Sequence, residues 1–435
     1  MRIRVFQSGK GDCLLLRSAA DDHILIDGGL VSNREDFYSP NVTGTLASMR
    51  RRGIPLDLVC VSHMDQDHIG GILRMLNDEF EWRAYEHQKA QGILNLSKPE
   101  NPRPPKIAEI WHNSFHEQVA MNRTEIEQAI AAAVPGSLAL GLDRSAHGDN
   151  FFQDLATSMN EAARLSRRIG TKQLGIDLNK AFGGKLAMFK KSHSPHEIGA
   201  FKIRVIGPTD DQLDKLREDW IEWLESEKGK RQIERVNADS LEDEALLAQG
   251  DLNGYLAQRF GRAIGSRSSV TQSNVASILM YVNDGADDIL LTGDARDDHI
   301  LEGLAAAGLT DTKGHMHVKV LKLQHHGSKN NFSSAFAKRI TADHYLLCGN
   351  GGHHNPQLDV LKTLIDSRLG IEEQMSPNQI GRKFKLWFSS SQDSAGADKD
   401  HMKEVEELVA ARAAASNGQM SFHFSSGRYF TFSPR

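Results

Sequence analysis

The stretch CVSHMDQDHIGGI, residues 60–72, decides how this chain is read. It grows out of LDLVCVS (56–62), a short valine-rich run that reads as a buried strand, and continues as a helix in IGGILRML. Between the two, His63, Asp65, Asp67 and His68 crowd into residues 63–68. A core cannot bury such groups unpaired, and a solvated loop has no use for their density. Imidazole and carboxylate are ligands of first-row metals, and residues two apart on an extended segment point to the same side. His63 and Asp65 can therefore reach one cation, and Asp67 and His68, at the turn into the helix, a second one nearby. Gly70 and Gly71 leave the first helical turn bare, so a substrate or another backbone can approach closely.

Two further segments have the same shape. DDILLTGDARDD is an apolar strand that delivers Asp294 onto a glycine-containing turn. The two oxygens of that carboxylate could serve one divalent ion each, or the residue could cap the helix that follows in ARDDHILEGL. VKVLKLQHHGSKNN ends in His325 and His326, with Gly327 permitting a sharp turn. Adjacent histidines at a strand end cannot both face the core, so at least one faces a site. CGNGGHHNP, residues 348–356, is a second Gly/His cluster after an apolar strand. His353 and His354 could line the cavity as proton donor or phosphate contact, or stand exposed in a turn. Ser328 and Lys329 are candidate anion contacts. Each segment ends a strand in a ligand, as expected where loops from one edge of a sandwich converge on one cavity.

The rest of the chain fits this picture. Strand patterns (IRVFQ, CLLLRS, HILIDGG, FKIRVIGPT, VASILMYVN) are interleaved with helical ones at 43–52, 296–307, 332–340, 357–368 and 401–415. The expected class is α/β (α+β), a single domain over 1–435. It carries a mainly helical insertion at 113–185, a charged helical insertion at 210–262 and a C-terminal extension at 371–435. The charges of the second insertion read as a solvated helix face. The last residues read as a hairpin or two short edge strands. With 435 residues, 39% hydrophobic and 25% charged, the composition is that of a globular protein, and a net charge of −5 argues against a broad nucleic-acid footprint while leaving room for a local basic channel. Cys13, Cys60 and Cys348 are scattered, which is neither a disulfide framework nor a zinc ribbon. No run approaches the roughly 20 apolar residues that cross a bilayer, and MRIRVFQSGKGDCLLLRS lacks the signature of a signal peptide. A cytoplasmic location and no membrane partner are the expectation.

In this order, IDGG, SHMDQDHIGG, LLTGD and HHGS resemble the metallo-β-lactamase superfamily. Its pattern H-x-[HD]-x-D-H is matched by His63, Asp65, Asp67 and His68. The closer resemblance is to the branch that includes the hydrolase domain of ComEC-type DNA-uptake proteins, where GQGD, DGG, SHxDxDHIGG, LLTGD and HHGS recur. Here the first of these stands as GKGD. The likeness covers residues 1 to about 112 and 200 to about 356, leaving the insertions and the tail unexplained. It implies an αββα metallo-β-lactamase sandwich with two metal ions, zinc with manganese as an alternative, at one edge. It further implies Asp294 as bridging carboxylate, His326 as ligand with His325 beside it against substrate, and Asp27 orienting the ligand loop through hydrogen bonds. Two departures stand out. Asp65 occupies a position where much of the superfamily has histidine, which makes the first site richer in oxygen. The usual further histidine has no obvious owner, His112 in EIWHNSF being the best candidate, with His116 behind it.

The reaction implied is hydrolysis by activated water, with Asp67 or Asp294 taking the proton. A phosphodiester substrate, nucleic acid or nucleotide, is favoured by analogy with the nearest branch. The absence of a signal sequence weighs against β-lactams. Thioester or lactone hydrolysis of the glyoxalase type is the enzymatic alternative. The non-enzymatic alternative is an interaction subunit that docks a protein partner through 210–262, where Trp220 and Trp223 share a helix face or else pack onto the parent domain.

Overall fold

The computed structural model describes residues 1–32, 35–113, 161, 164–166, 168–171, 173–214, 227, 277–285, 287–370 and 382–435. Its strands are β1 (Arg2–Phe6), β2 (Leu14–Arg17), β3 (His23–Ile26), β4 (Leu58–Cys60), β5 (Glu109–Trp111), β6 (Asp177–Leu178), β7 (His196–Ile198) and β8 (Phe201–Gly207). They continue with β9 (Leu279–Asn283), β10 (Asp288–Leu291), β11 (Met316–Lys322), β12 (Ile340–Leu347), β13 (Phe384–Phe388), β14 (Met420–Phe424) and β15 (Tyr429–Phe432). The helices that cover them are α1 (Tyr38–Asn41), α2 (Thr43–Arg51), α3 (Gln66–Ala90), α4 (Asp297–Ala306), α5 (Ser334–Arg339), α6 (Leu358–Leu369) and α7 (Lys399–Ala415).

Period-two alternation assigns each strand residue to a layer. Leu14 and Leu16 of β2 and Ile24 and Ile26 of β3 meet Val282, Ile289 and Val320 in the core between two sheets. Leu15 and Leu25, one residue out of phase, lie beneath Ile69, Ile72 and Leu76 of α3. On the far side Leu290 and Leu321 pack under Ile300 of α4, Leu361 of α6 and Val405 of α7. The four layers are the expected αββα sandwich. One sheet runs β15-β1-β2-β3-β4-β5-β6 and the other β14-β13-β12-β11-β10-β9-β8-β7. Pairs β3–β4 and β4–β5 in the first sheet, and β10–β11 and β11–β12 in the second, are parallel. Parallel strands place their carboxyl ends along one edge, where open α/β sheets build their sites. That edge collects the motif segments.

Three expectations need correction or limits. Of the insertion at 113–185 the greater part lies outside the described residues; within it Asp177–Leu178 extends the first sheet by pairing in parallel with β5, and a 3-10 turn follows at Lys180–Phe182. A strand this short leaves no periodicity to read. Nor is 371–435 an appendage, because β13 and β14 complete the second sheet while β15 pairs antiparallel with β1 in the first. The final strands are thus edge strands of different sheets and not a hairpin. Most of the 210–262 insertion, with Trp220 and Trp223, and His116 in the other insertion, lie outside the described residues. Among the described residues no helix is long and apolar enough to cross a membrane.

The paired glycines meet backbone, not substrate. Gly28 N donates to His68 O at 2.7 Å and Gly71 N to Gly29 O at 3.1 Å, so the DGG loop lies directly on the first turn of α3. A Cβ at Gly71 would overlap the Gly28 carbonyl, and one at Gly28 would overlap the Ile72 amide. Gly71→Ala should therefore lower stability by roughly 1–3 kcal/mol through overpacking. A denaturant titration in which the variant matches the wild type would show that this contact is looser than described.

Candidate metal centre

The site assembles from strand ends. Asp27, just past β3, accepts from Ser62 N through Oδ1 at 2.7 Å. Its Oδ2 accepts from Ser62 Oγ at 2.7 Å and faces His68 Nδ1 at 2.9 Å. The loop after β4 is thereby tied to the loop after β3. Ser62 Oγ, having given its proton to Asp27, lies 3.0 Å from His63 Nδ1 and is left as an acceptor for it. Asp12 Oδ1 faces His326 Nδ1 at 3.3 Å. Asn331 donates through Nδ2 to the carbonyls of Asp294 (2.9 Å) and Ala295 (3.3 Å), which turns its Oδ1 toward His325 Nδ1 at 2.7 Å.

His63, His68 and His325 thus have an acceptor within hydrogen-bond reach of Nδ1, while His326 Nδ1 faces Asp12 without a hydrogen bond of good geometry. In the neutral tautomer protonated at Nδ1, each ring keeps its Nε2 lone pair free. All four free nitrogens turn toward one oxygen. From Asp294 Oδ2 the distances are 3.2 Å to His326 Nε2, 3.4 Å to His68, 3.8 Å to His325 and 3.9 Å to His63. Asp65 Oδ2 lies 3.8 Å from His63 Nε2, and Asp67 Oδ2 3.6 Å from His326 Nε2. His68 Nε2 and His326 Nε2 are 3.3 Å apart. Lone pairs gathered around a buried carboxylate repel unless a proton or a cation sits among them. Asp294 Oδ1 and His63 Nε2 are buried with no hydrogen-bond partner. Four buried donors, from Asp12, His68, Asp294 and His326, lie within 4.8 Å of one another and could hold a metal ion. The donor set fits a divalent cation, with Asp12 turned to the Nδ1 side of the rings as a supporting anion.

Electrostatics follow from the same neighbours. Burial disfavours charge on Asp294, but His326, His68 and His325 hold its pKa well below the usual carboxylate range. Burial likewise opposes ionisation of Asp67, which Lys10, His68 and His326 more than offset. For His326 burial works against the proton, yet Asp294 and Asp12 raise the pKa to about 9. His68 is raised well above the ordinary imidazole value by Asp294, Asp27 and Asp12, against burial. His63 is lowered, by burial first and then by His68.

Sequence reasoning assigned no role to four residues here. Asp12 belongs to GKGD, which was used only as part of the resemblance. Lys322 is buried, forms a close ion pair with Asp12, donates to Gly293 O at 3.1 Å and lies 3.7 Å from Asp294 Oδ1. Its signal was parity: it follows Val320, a residue of the inter-sheet core, by two positions on β11. Ser62 and Asn331 had no distinguishing pattern. His325 and His326 both face the site, in successive left-handed conformations (φ 44° and 54°). His112 is fully buried beside this group and pushed down to about 4 by burial, with the Val61 backbone and Asp27 opposing. Neither of its ring nitrogens has a hydrogen-bond partner of good geometry, and it does not belong to the four-donor cluster. At the rim, Ser328 is buried and its Oγ accepts from Asn330 N at 3.4 Å. Lys329 is exposed. His353 is exposed, and its pKa is lowered by partial burial first and then by Lys10, with Asp67 opposing. His354 instead packs edge-on against His401, ring centroids 5.1 Å apart.

A mixed α/β sandwich gathers at its strand ends a buried Asp/His group that could hold a metal ion. Residues 8–117 match the model of the Metallo-beta-lactamase superfamily, whose members are generally hydrolases. The matched segment contains Asp12, Asp27 and the 63–68 cluster, while Asp294 and the 325–326 pair lie beyond it. A search of curated proteins found no match.

Two outcomes follow from the geometry. In metal-free protein His326, with its pKa near 9, and His68 hold protons at neutral pH. A cation must displace them, so its affinity should rise with pH toward about 9. Calorimetric titration with zinc or manganese in buffers of different ionisation enthalpy should report proton release at pH 7, and none would count against this charge state. Asp12→Ala should cost roughly 3–5 kcal/mol by stranding the buried Lys322 ammonium. Adding Lys322→Met should recover part of that loss in metal-free denaturation, and a strictly additive pair would refute the coupling.

Proposed function

We propose that this chain is a hydrolase that activates water on one or two divalent ions, zinc or manganese, and cleaves a phosphodiester in a nucleic acid or nucleotide. The single observation that carries the hydrolase reading is the convergence of four imidazole Nε2 atoms on Asp294 Oδ2. His63 and Asp65 would hold one ion, Asp67, His68 and His326 the other, and Asp294 would lie between them. His112, neutral and close to His63, is the reserve ligand of the first ion. Bound divalent ions would supply Lewis acidity and a water acidified toward neutrality.

The chain's own groups do the rest. Asp67 and Asp294, both ionised, orient the attacking water and accept its proton. His325 is partly exposed and fixed by Asn331 through Nδ1, so its Nε2 would face the substrate and accept a hydrogen bond there. Asp27 and Asp12 hold His68 and His326 in the required orientation. Phosphate is favoured over a thioester by the charges at the mouth: Lys10 acts on Asp67 and His353, and Lys329 stands exposed next to the histidine pair. The likeness of GKGD, SHMDQDHIGG, LLTGD and HHGS to the ComEC-type branch supports the same choice by analogy.

Wild-type protein with added manganese or zinc should hydrolyse bis-p-nitrophenyl phosphate, and Asp67→Ala and Asp294→Ala should each lose the activity by about a hundred-fold or more. Folded variants that retain the wild-type rate would refute the assignment. Turnover of a thioester or lactone, with none of the diester, would move the substrate to the glyoxalase type.

A further inference from the structure

The outer face of the first sheet carries an unexpected concentration of charge. A cavity of about 410 Å³ lies between β1, β2, β15 and α2. Five guanidinium groups line it, from Arg2, Arg4, Arg17, Arg52 and Arg428, against one carboxylate, Asp21. Of the five, only Arg17 has an acidic partner among the described residues, its ion pair with Asp21. The chain as a whole has a net charge of −5, so this is a local positive field and not a general basicity.

The fold forces these charges together. Arg2 and Arg17 are direct partners across the β1–β2 ladder, an arrangement that like charges disfavour. Arg2 and Arg4 point to the same side of β1, roughly 7 Å apart. Arg4 is held by side chains rather than by a counter-ion, donating to Thr431 Oγ1 at 3.1 Å and Thr45 Oγ1 at 3.0 Å. Its guanidinium lies 4.2 Å from the centroid of the Tyr429 ring, which is 43% exposed. Charges that only discourage edge-to-edge pairing need neither a cavity nor an exposed aromatic ring beside them. The Tyr429 end of the cavity is tied to the strand that leads toward Asp12: Gln7 N donates to Arg428 O at 2.9 Å and Asn41 Nδ2 donates to Gln7 O at 2.8 Å.

We infer that this arginine-lined groove binds the sugar–phosphate backbone of a single-stranded nucleic acid, with Tyr429 stacking on a base. Arginines present paired donors to successive phosphates, and an aromatic face beside a cationic track is how single strands are held without sequence readout. The inference rests on the phosphodiester reading of the metal site for the role of that strand as substrate. The binding itself is tested without turnover.

Fluorescein-labelled single-stranded oligonucleotide is titrated with the full chain in EDTA, with anisotropy as readout. Replacing Arg2, Arg52 and Arg428 together by Gln should weaken binding by about ten-fold or more and flatten the log–log salt dependence by about 2. A charge-matched control, Lys313→Gln with Lys362→Gln and Lys403→Gln, should bind as the wild type does. Tyr429→Ala should lose about five-fold or more for the oligonucleotide but nothing for inorganic polyphosphate, and Tyr429→Phe should restore it. Arginine variants that bind normally, or a control that loses as much, would overturn the groove. Oligonucleotide binding indifferent to Tyr429→Ala would overturn the nucleic-acid assignment. Bis-p-nitrophenyl phosphate turnover should be unchanged in the arginine variants, so a wild type that binds strands but lacks this activity fails the hydrolase reading alone.

Discussion

Asp294 sits where the two sheets meet, its carboxylate almost wholly buried and ringed by imidazole nitrogens. Each of those rings has been turned to that position by a different acceptor: Asp27, Ser62, Asp12 or Asn331. The arrangement is adverse by itself, because it directs electron-rich atoms at an anion in a medium that screens poorly. Asp12 and Asp27 add negative charge, and Lys322 is the one lysine buried among them. Such a set is stable only with positive charge at its centre, supplied by protons in one state and by a cation in another. Any cation held here would compete with the protons on His68 and His326.

The fold contributes by aligning strand ends. β3, β4, β10 and β11 each run in parallel with a neighbour and stop at the same edge, so every ligand-bearing loop starts from a fixed point. Backbone geometry absorbs the remaining mismatch. His325 and His326 occupy consecutive left-handed conformations, which cost roughly 1–3 kcal/mol each for residues other than glycine. The Asn331 hydrogen bonds and the pull of Asp294 hold them there. Strain of this kind, located at the end of a buried strand, is what places two adjacent side chains in the same cavity.

Much of this was legible in the residues themselves, and the limits are instructive. The 63–68 cluster, Asp294 and the histidine pair draw attention because each puts polar groups at the end of an apolar run. Asp27 was reached through the resemblance. Asp12 and Lys322 were not reached, since their meaning depends on each other and they lie on different sheets. Alternation along β11 would have turned Lys322 inward, but nothing local says that a buried lysine has a distant carboxylate. The two-residue strand β6 and the separate destinations of β14 and β15 follow from tertiary pairing that no short-range pattern encodes.

The pairing of β1 with β15 joins Ile3 to Phe432 across nearly the whole polypeptide. During translation β1 waits for its outer neighbour until Phe432 has emerged. Until then the segment that carries Asp12 hangs from an open sheet edge, and Lys322 emerges before that edge is sealed. Contacts of such long range close slowly, and partly assembled sheets with bare edges are prone to wrong association. Maturation of the centre is thus a late event in the life of the nascent chain, set by its topology.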